Sequence, residues 1–446
     1  MRLSRFTQTS TKDGLTAVFH ALHPRPFFVE AASWNRFTAG ESDEDIMSAL
    51  HDSGLLTTID EDIASVAAVE NKSAMKDTMS ILYLVMTKKC NFRCRQCFQP
   101  ERQCSKQSNE PFMTEETARV AIDCFIRHLK MSECEAVEPQ IQFYGGEPLL
   151  NWPVLRSAVL YANERITDGS LPNDTKLVIV TNGSLVTAER AAFFAAHNVY
   201  VGLSVDGPRS LNDSYRHLPN GSGTYEMIKR ALALLQEANV VLSLSVTITP
   251  AMVMDLPSII RWAHDEMMVQ ALSFNLIGDS SLERLNEMER HAYAERAASG
   301  LVEAHRVARA LGMTEDRMER KVNDFADGMF KYADCGALGN QLVVNPNGDI
   351  AFCHADGKYV VGNVSDASFN MFNVMRDHEW HQALPINNVD CHECAAISIC
   401  GYGCFHHVVD RGLPTSDHDD VHCLHTKAAM EYLIWSLYDK TIQDER

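Results

Sequence analysis

Three cysteines, Cys90, Cys94 and Cys97, follow a β-branched run ending at Thr87 in the order KKCNFRCRQCF. In a reducing compartment, thiols at CxxxCxxC spacing on one loop point to metal ligation before they point to disulfides. Three thiolates hold three irons of a four-iron cluster and leave the fourth without a protein ligand, open to an exogenous chelator. A zinc site is the alternative; it needs a fourth thiol or imidazole, and Cys104 follows Cys97 closely. A second short run ends in FYGGEPLL, where Gly145 and Gly146 permit close backbone approach and Glu147 offers a carboxylate as the seat for an amino group.

Seven more of the 13 cysteines fall between residues 335 and 423. Cys335, Gly348 and Cys353 are spaced Cx12Gx4C, Cys391, Cys394, Cys400 and Cys404 are spaced Cx2Cx5Cx3C, and Cys423 closes the series. Of the other three, Cys104, Cys124 and Cys134, Cys124 falls near the apolar face of a helix and reads as core packing. His406, His407, His422 and His425 crowd the last cysteines and read as supporting or solvated groups rather than ligands.

These residues need elements to position them. Short β-branched runs end at Thr87 (SILYLVMT) and cover 141–144, 176–181, 200–205, 240–248 and 271–276, alternating with helical stretches. The first helix starts at Thr114, with Glu115 and Glu116 in its first turn and Ala118, Ala121, Ile122, Phe125 and Leu129 on its apolar face. Six such units predict an α/β fold with parallel strands, as an open sheet or a barrel, with the chemistry on loops at the strands' C-terminal ends. A polar helical region is expected over 282–332, broken near Gly300 and Gly312, and then a cysteine-rich domain opening with two short strands around Asn345–Gly348. Residues 1–75 form a separate small α+β module: an extended stretch over Leu15–Leu22, a helix capped by Ser42 and ended by Gly54, and a strand at LLTTI. Its pattern has winged-helix character, and the division is 1–75, 79–312 and 313–446.

Lys plus Arg number 40 and Asp plus Glu 59, a formal charge of −19 that argues against a general nucleic-acid or anionic-membrane surface. The N-terminus has no apolar signal region, and no apolar run approaches the ~18 residues of a membrane helix. A soluble, cytoplasmic protein with reduced thiols is expected.

CxxxCxxC after the first strand and GGEP after the second resemble the radical S-adenosylmethionine (SAM) enzymes, and the seven-cysteine spacing resembles their SPASM domain; the resemblance spans roughly residues 79–430. It implies a partial (β/α)6 barrel followed by an auxiliary-cluster domain, and three [4Fe-4S] clusters. Cys90, Cys94 and Cys97 would bind the cluster whose open iron is chelated by SAM. Gly145, Gly146, Glu147 and Pro148 would contact the methionine amino group. Thr181, Asn182 and Gly183, with Ser204 and Asp206, resemble the positions that hold ribose and carboxylate. Cys391, Cys394, Cys400 and Cys423 would hold an outer auxiliary cluster, and Cys335, Cys353 and Cys404 an inner one, left open or closed by Asp334, His354 or substrate. One departure is Gln96, where the family usually has an aromatic residue near adenine. The implied chemistry is reductive cleavage of SAM to a 5'-deoxyadenosyl radical that abstracts hydrogen from substrate, with a flavodoxin or ferredoxin type protein as electron donor.

Enzymes of this kind mostly modify peptides or proteins. A ribosomally made precursor peptide, receiving a thioether or carbon–carbon crosslink, is the first reading; the small N-terminal module resembles peptide-recognition domains that bind a leader by strand addition. The alternative is a formylglycine-forming sulfatase-maturating enzyme, which typically has aspartate directly after the second inner-cluster cysteine. Here His354 follows Cys353 and Asp356 comes two residues later, so these two are the candidate proton acceptors. A non-catalytic electron carrier is a third class, opposed by the GGEP loop.

Overall fold

The computed structural model describes residues 2–73, 77–98, 112–133, 138–277, 285–328, 330–355, 359–376, 378–382, 384–415 and 417–444. Asp356, Cys104 and Cys134 lie outside these.

Strands β1 (Arg2–Leu3), β2 (Thr7–Lys12), β3 (Leu15–His20), β4 (His23–Glu30) and β5 (Leu56–Thr57) build the N-terminal part. β2, β3 and β4 form an antiparallel meander, β1 pairs with β5, and helices span Ala31–Thr38, Glu44–Asp52 and Ile59–Ser73. Asp13 (φ 50°) and Gly14 (φ 81°) make the tight β2–β3 turn. The second helix is capped by Asp43, whose extended backbone lets its carboxylate accept from Ile46 N at 3.1 Å, one residue beyond the expected Ser42. β4 was not legible because its sequence, HPRPFFVE, carries Pro24 and Pro26; both sit on an edge strand, where missing donors are tolerated.

The central sheet follows the expected runs closely: β6 (Ile81–Thr87), β7 (Gln140–Gly145), β8 (Lys176–Thr181), β9 (Val199–Ser204), β10 (Leu242–Ile248) and β11 (Ala271–Leu276) are parallel neighbours in chain order. β12 (Thr314–Glu315) extends the β11 edge. At the other edge β13 (Gln341–Val344) runs parallel to β6, followed by antiparallel β14 (Asp349–Ala351) and β15 (Val360–Asn363). Side chains alternate across this sheet. Leu82, Leu84, Ile141, Phe143, Leu177, Ile179, Val201, Leu203, Leu244, Val246, Leu272 and Phe274 are buried on one face. The opposite face carries Tyr83, Gln142, Tyr144, Ser204, Ser245, Thr247 and Asn275, all partly accessible. One face is therefore core, and the other is a polar and aromatic wall.

The helix Glu287–Ala310 runs unbroken through Gly300. An added Cβ there would meet Leu256 at 3.2 Å, so this glycine lets the helix pack closely on Leu256–Asp265 rather than breaking it. Gly312, at φ 69°, lies just past its end as expected. The N-terminal part shares the main core: Phe6, Phe19, Leu22 and Val69 belong to the same apolar cluster as Leu82, Phe405 and Ile434. The helix Asp420–Asp444 packs on its sheet, with Trp435 Nε1 donating to Ser10 Oγ at 3.0 Å and Tyr438 4.9 Å from Phe28. No described helix is long and apolar enough to cross a membrane.

Candidate active site

The loop after β6 is built against the end of β7. Gly146 N donates to Thr87 O at 2.8 Å and Glu147 N to Lys89 O at 2.9 Å. A Cβ on Gly145 would lie 2.2 Å from Thr87 O, and one on Gly146 2.2 Å from Lys89 O, so the glycine pair is required by backbone-to-backbone contact with the cysteine loop. Glu147 is fully buried. One carboxylate oxygen accepts from Leu149 N (3.0 Å) and Thr181 Oγ1 (2.7 Å), the other from Asn182 N (2.8 Å). Burial pushes its carboxyl up, against those hydrogen bonds. Glu147 thus clamps β7 to β8, with its oxygens committed to the protein itself. Pro148 starts the turn that follows.

Asn182 Nδ2 donates to Asn91 Oδ1 at 3.0 Å, and Asn91 Nδ2 to Ser184 Oγ at 2.8 Å, fastening the loop beside Cys90 to the end of β8. Gly183, at φ 77°, turns the chain there. Ser204 ends β9 on the partly accessible face. Asp206, expected beside the ribose or carboxylate, is instead buried under three partners. Arg216 pairs with it through two bonds of 2.7 and 2.9 Å, Thr247 N donates to it at 2.9 Å, and Gln96 Nε2 donates to the same carboxylate. Arg216 also reaches Cys94: burial pushes that thiol up to about 11 against the pull of the guanidinium. Gln96 is therefore a buried link from the cysteine loop to Asp206. Arg216 and Asn91 were not legible as site residues, because nothing in their local spacing distinguishes them from ordinary loop polars.

The C-terminal cysteines sort into two groups. Cys335 feels burial first, then Cys404 and Cys353, all of which push its thiol up. Cys391 is pushed up to about 12 by burial, Cys400 and Cys394, and Cys423 upward by burial with the same two thiols and Cys391. Imidazoles and a carboxylate surround them. His418 Nε2 lies 3.2 Å from Cys391 Sγ, and His407 pairs with buried Asp419 at 3.0 Å while facing Cys404. His422 Nε2 is 3.2 Å from Cys400 O. His425 is fully buried, and His406 lies beside His407. Cys124 packs in its helix, as expected.

His354 joins the two ends of the site. Its ring stacks on Tyr83 (4.8 Å) and lies edge-on to Tyr144 (4.6 Å) and Phe98 (5.6 Å). Phe98 follows Cys97, Tyr144 precedes Gly145 and His354 follows Cys353, so one aromatic cluster spans from the first cysteine loop to the inner C-terminal group. The Tyr144 phenol feels both Cys97 and Cys353 after burial, and is pushed upward.

The donor sets fit iron–sulfur clusters: grouped, partly or fully buried thiols call for a polynuclear cationic partner. Among the described residues no three His, Cys, Asp or Glu side chains meet closely enough to hold a single metal ion. Residues 84–262 match the Radical SAM superfamily and residues 335–396 the SPASM iron-sulfur cluster-binding domain. The chain is a radical SAM enzyme with a SPASM domain, and the two domains imply [4Fe-4S] clusters and SAM.

The radical SAM cyclopropyl synthase TigE of Paramaledivibacter caminithermalis is 31% identical over 179 residues, 38% of this chain and 35% of that protein. The chain thus spans about a third of that relative's length. A cysteine-type anaerobic sulfatase-maturating enzyme of Clostridium perfringens is 22% identical over 344 residues, 73% of this chain and 88% of that one. The solved structure of native anSMEcpe with bound AdoMet shares the fold, with TM-score 0.65 and 18% identity over 81% of this chain and 98% of that one.

Proposed function

We propose that the protein modifies a peptide, abstracting hydrogen from a ribosomally made precursor and installing a thioether or carbon–carbon crosslink or a similar side-chain change. The observation that carries this reading is the aromatic cluster of Tyr83, Tyr144, Phe98 and His354, which puts a partly accessible wall between the two ends of the site. In this reading Cys90, Cys94 and Cys97 hold the SAM-binding cluster, Cys391, Cys394, Cys400 and Cys423 the outer auxiliary cluster, and Cys335, Cys353 and Cys404 the inner one. When bound, SAM on its cluster supplies a 5'-deoxyadenosyl radical. The chain's own part is to orient and enclose. With the Glu147 oxygens committed to the protein, the backbone of Gly145–Pro148 takes the methionine end, and Thr181, Asn182 and Ser204 line the strand ends beside it. Asp206 acts through Arg216 and Gln96, holding the cysteine loop in place. His354 is the proton acceptor at the substrate, its ring fixed by Tyr83 and Tyr144.

Strand addition to the β2–β3–β4 sheet is the proposed mode of leader binding, supported by the unpaired outer edges of β2 and β4 among the described residues. The winged-helix likeness of this part belongs to the same proposal, as do a flavodoxin or ferredoxin type donor and a cytoplasmic location. The sulfatase-maturating alternative draws on the length over which the Clostridium perfringens enzyme aligns. Reconstituted enzyme is tested with the product of a neighbouring short peptide gene and with a sulfatase-derived peptide. The reading predicts loss of two hydrogens and a fragmentation gap at a crosslinked pair in the first only. Formylglycine in the second, with an unaltered first, would overturn it.

A further inference from the structure

Lys321 is 1% exposed in the interior face of the helix Asp316–Ala326, a place where an ammonium group needs specific partners. Its Nζ donates to Ile399 O at 2.7 Å, to Cys400 O at 3.1 Å and to Asp334 Oδ1 at 3.1 Å. Asp334 directly precedes Cys335, and its amide donates to Gly401 O at 2.9 Å. A Cβ on Gly401 would lie 2.4 Å from Asp334 N, so the segments bearing Cys335 and Cys400 are in backbone contact there. The ion pair sits on that seam: its cation bonds the carbonyls of Ile399 and Cys400, and its anion is the chain neighbour of Cys335.

We propose that the Lys321–Asp334 pair is a fixed internal dipole that sets the two auxiliary sites apart in reduction potential, raising the site of Cys391, Cys394, Cys400 and Cys423 relative to the site of Cys335, Cys353 and Cys404. A positive charge favours the more negative, reduced state of a nearby cluster and a negative charge disfavours it. Arg317, Arg320 and His422 also face the Asp334 carboxylate, with His422 Nε2 4.0 Å from its second oxygen, and these groups are common to the wild type and to every variant tested below. The bias makes the outer site the electron sink and leaves the inner site, nearer His354, ready to be oxidised again.

This inference rests on the two-cluster reading of the C-terminal cysteines. Iron and sulfide content of the wild-type enzyme therefore comes first: absence of the two auxiliary clusters would fail that reading. Given full content, EPR-monitored redox titration of wild type, Lys321→Met and Asp334→Asn tests the dipole. Lys321→Met is expected to lower the outer midpoint more than the inner, and Asp334→Asn to raise the inner more than the outer. In both, the electron-exchange equilibrium between the sites falls by about tenfold, a narrowing of about 59 mV for one electron. Lys321→Arg, which keeps the charge, restores most of the gap and guards against a variant that merely assembles poorly. The midpoint of the Cys90, Cys94 and Cys97 site stays put as the internal control. A gap that is unchanged or widened in both charge-removing variants, at full iron content, overturns the proposal.

Discussion

Gly146→Ala is the most informative single substitution at the radical site, because its effect is set by backbone atoms that cannot rotate away. The added Cβ would sit 2.2 Å from Lys89 O, 2.5 Å from Lys89 C and 2.8 Å from Lys88 O. Relief requires the two segments to part by roughly 1 Å, beyond the ~0.5 Å tolerance of a working site. That movement loosens the bonds from Gly146 N to Thr87 O and from Glu147 N to Lys89 O, at about 1 kcal/mol each. Overpacking adds about 1–3 kcal/mol, for a total of roughly 3–5 kcal/mol. The sum is below a typical folding free energy of about 5–15 kcal/mol, so the protein stays folded while the loop with Cys90 is released. Iron and sulfide analysis with EPR should show loss of about four irons per chain, retention of the auxiliary signals, and SAM cleavage reduced by about 100-fold or more. Gly202→Ala, whose Cβ meets Val180 at an ordinary 3.4 Å, is the control. If Gly146→Ala retains its full iron and its cleavage rate, the glycine pair is not the seat of the cysteine loop.

Arg216→Ala leaves Asp206 buried without its cation, at about 3–5 kcal/mol; denaturant unfolding should report it and iron analysis should show loss confined to the radical site, while an unchanged midpoint would remove Arg216 from the loop's support. His354→Gln should keep substrate-triggered 5'-deoxyadenosine but lose modified product by about 100-fold; equal loss of both would place His354 elsewhere in the mechanism. Burial holds His20 and His305 down at about 4 against the usual 6.5. Between those pH values the unfolded chain binds protons that the folded chain does not. Stability is therefore full above pH 6.5 and falls on acidification towards pH 4, by at most about 1.4 kcal/mol per pH unit per histidine. His305→Phe should flatten that slope in pH-dependent urea unfolding, and an identical slope would contradict the assignment.

The parallel strands were legible because each is a short apolar run, rich in β-branched or aromatic residues in most cases, with turn residues after it, and β6 to β11 lie within a residue or two of their expected bounds. The cysteine spacings and the need for close approach at Gly145 and Gly146 were equally plain. The other partner in each contact was hidden. Asp206 reads as a ligand-facing carboxylate until Arg216, ten residues on, is seen folded back onto it. Lys321 reads as one more solvated charge in a polar helical region, since three of its partners, Ile399 O, Cys400 O and Asp334, come from other segments of the chain. Gly300 reads as a helix break because spacing alone cannot show Leu256 packed against it. Local pattern thus specifies the elements, while long-range pairing decides what the charged and small residues between them do.

In the proposed reading, Cys90, Cys94, Cys97 and the Gly145–Pro148 turn together form a SAM-cleaving site. The direct measurement is 5'-deoxyadenosine and methionine released by the anaerobically reconstituted enzyme on addition of dithionite and SAM, beside a Cys90/Cys94/Cys97→Ala variant. Equal amounts of both products are expected from the wild type and none from the variant. Wild-type enzyme with full iron and sulfide content that leaves SAM intact would contradict it.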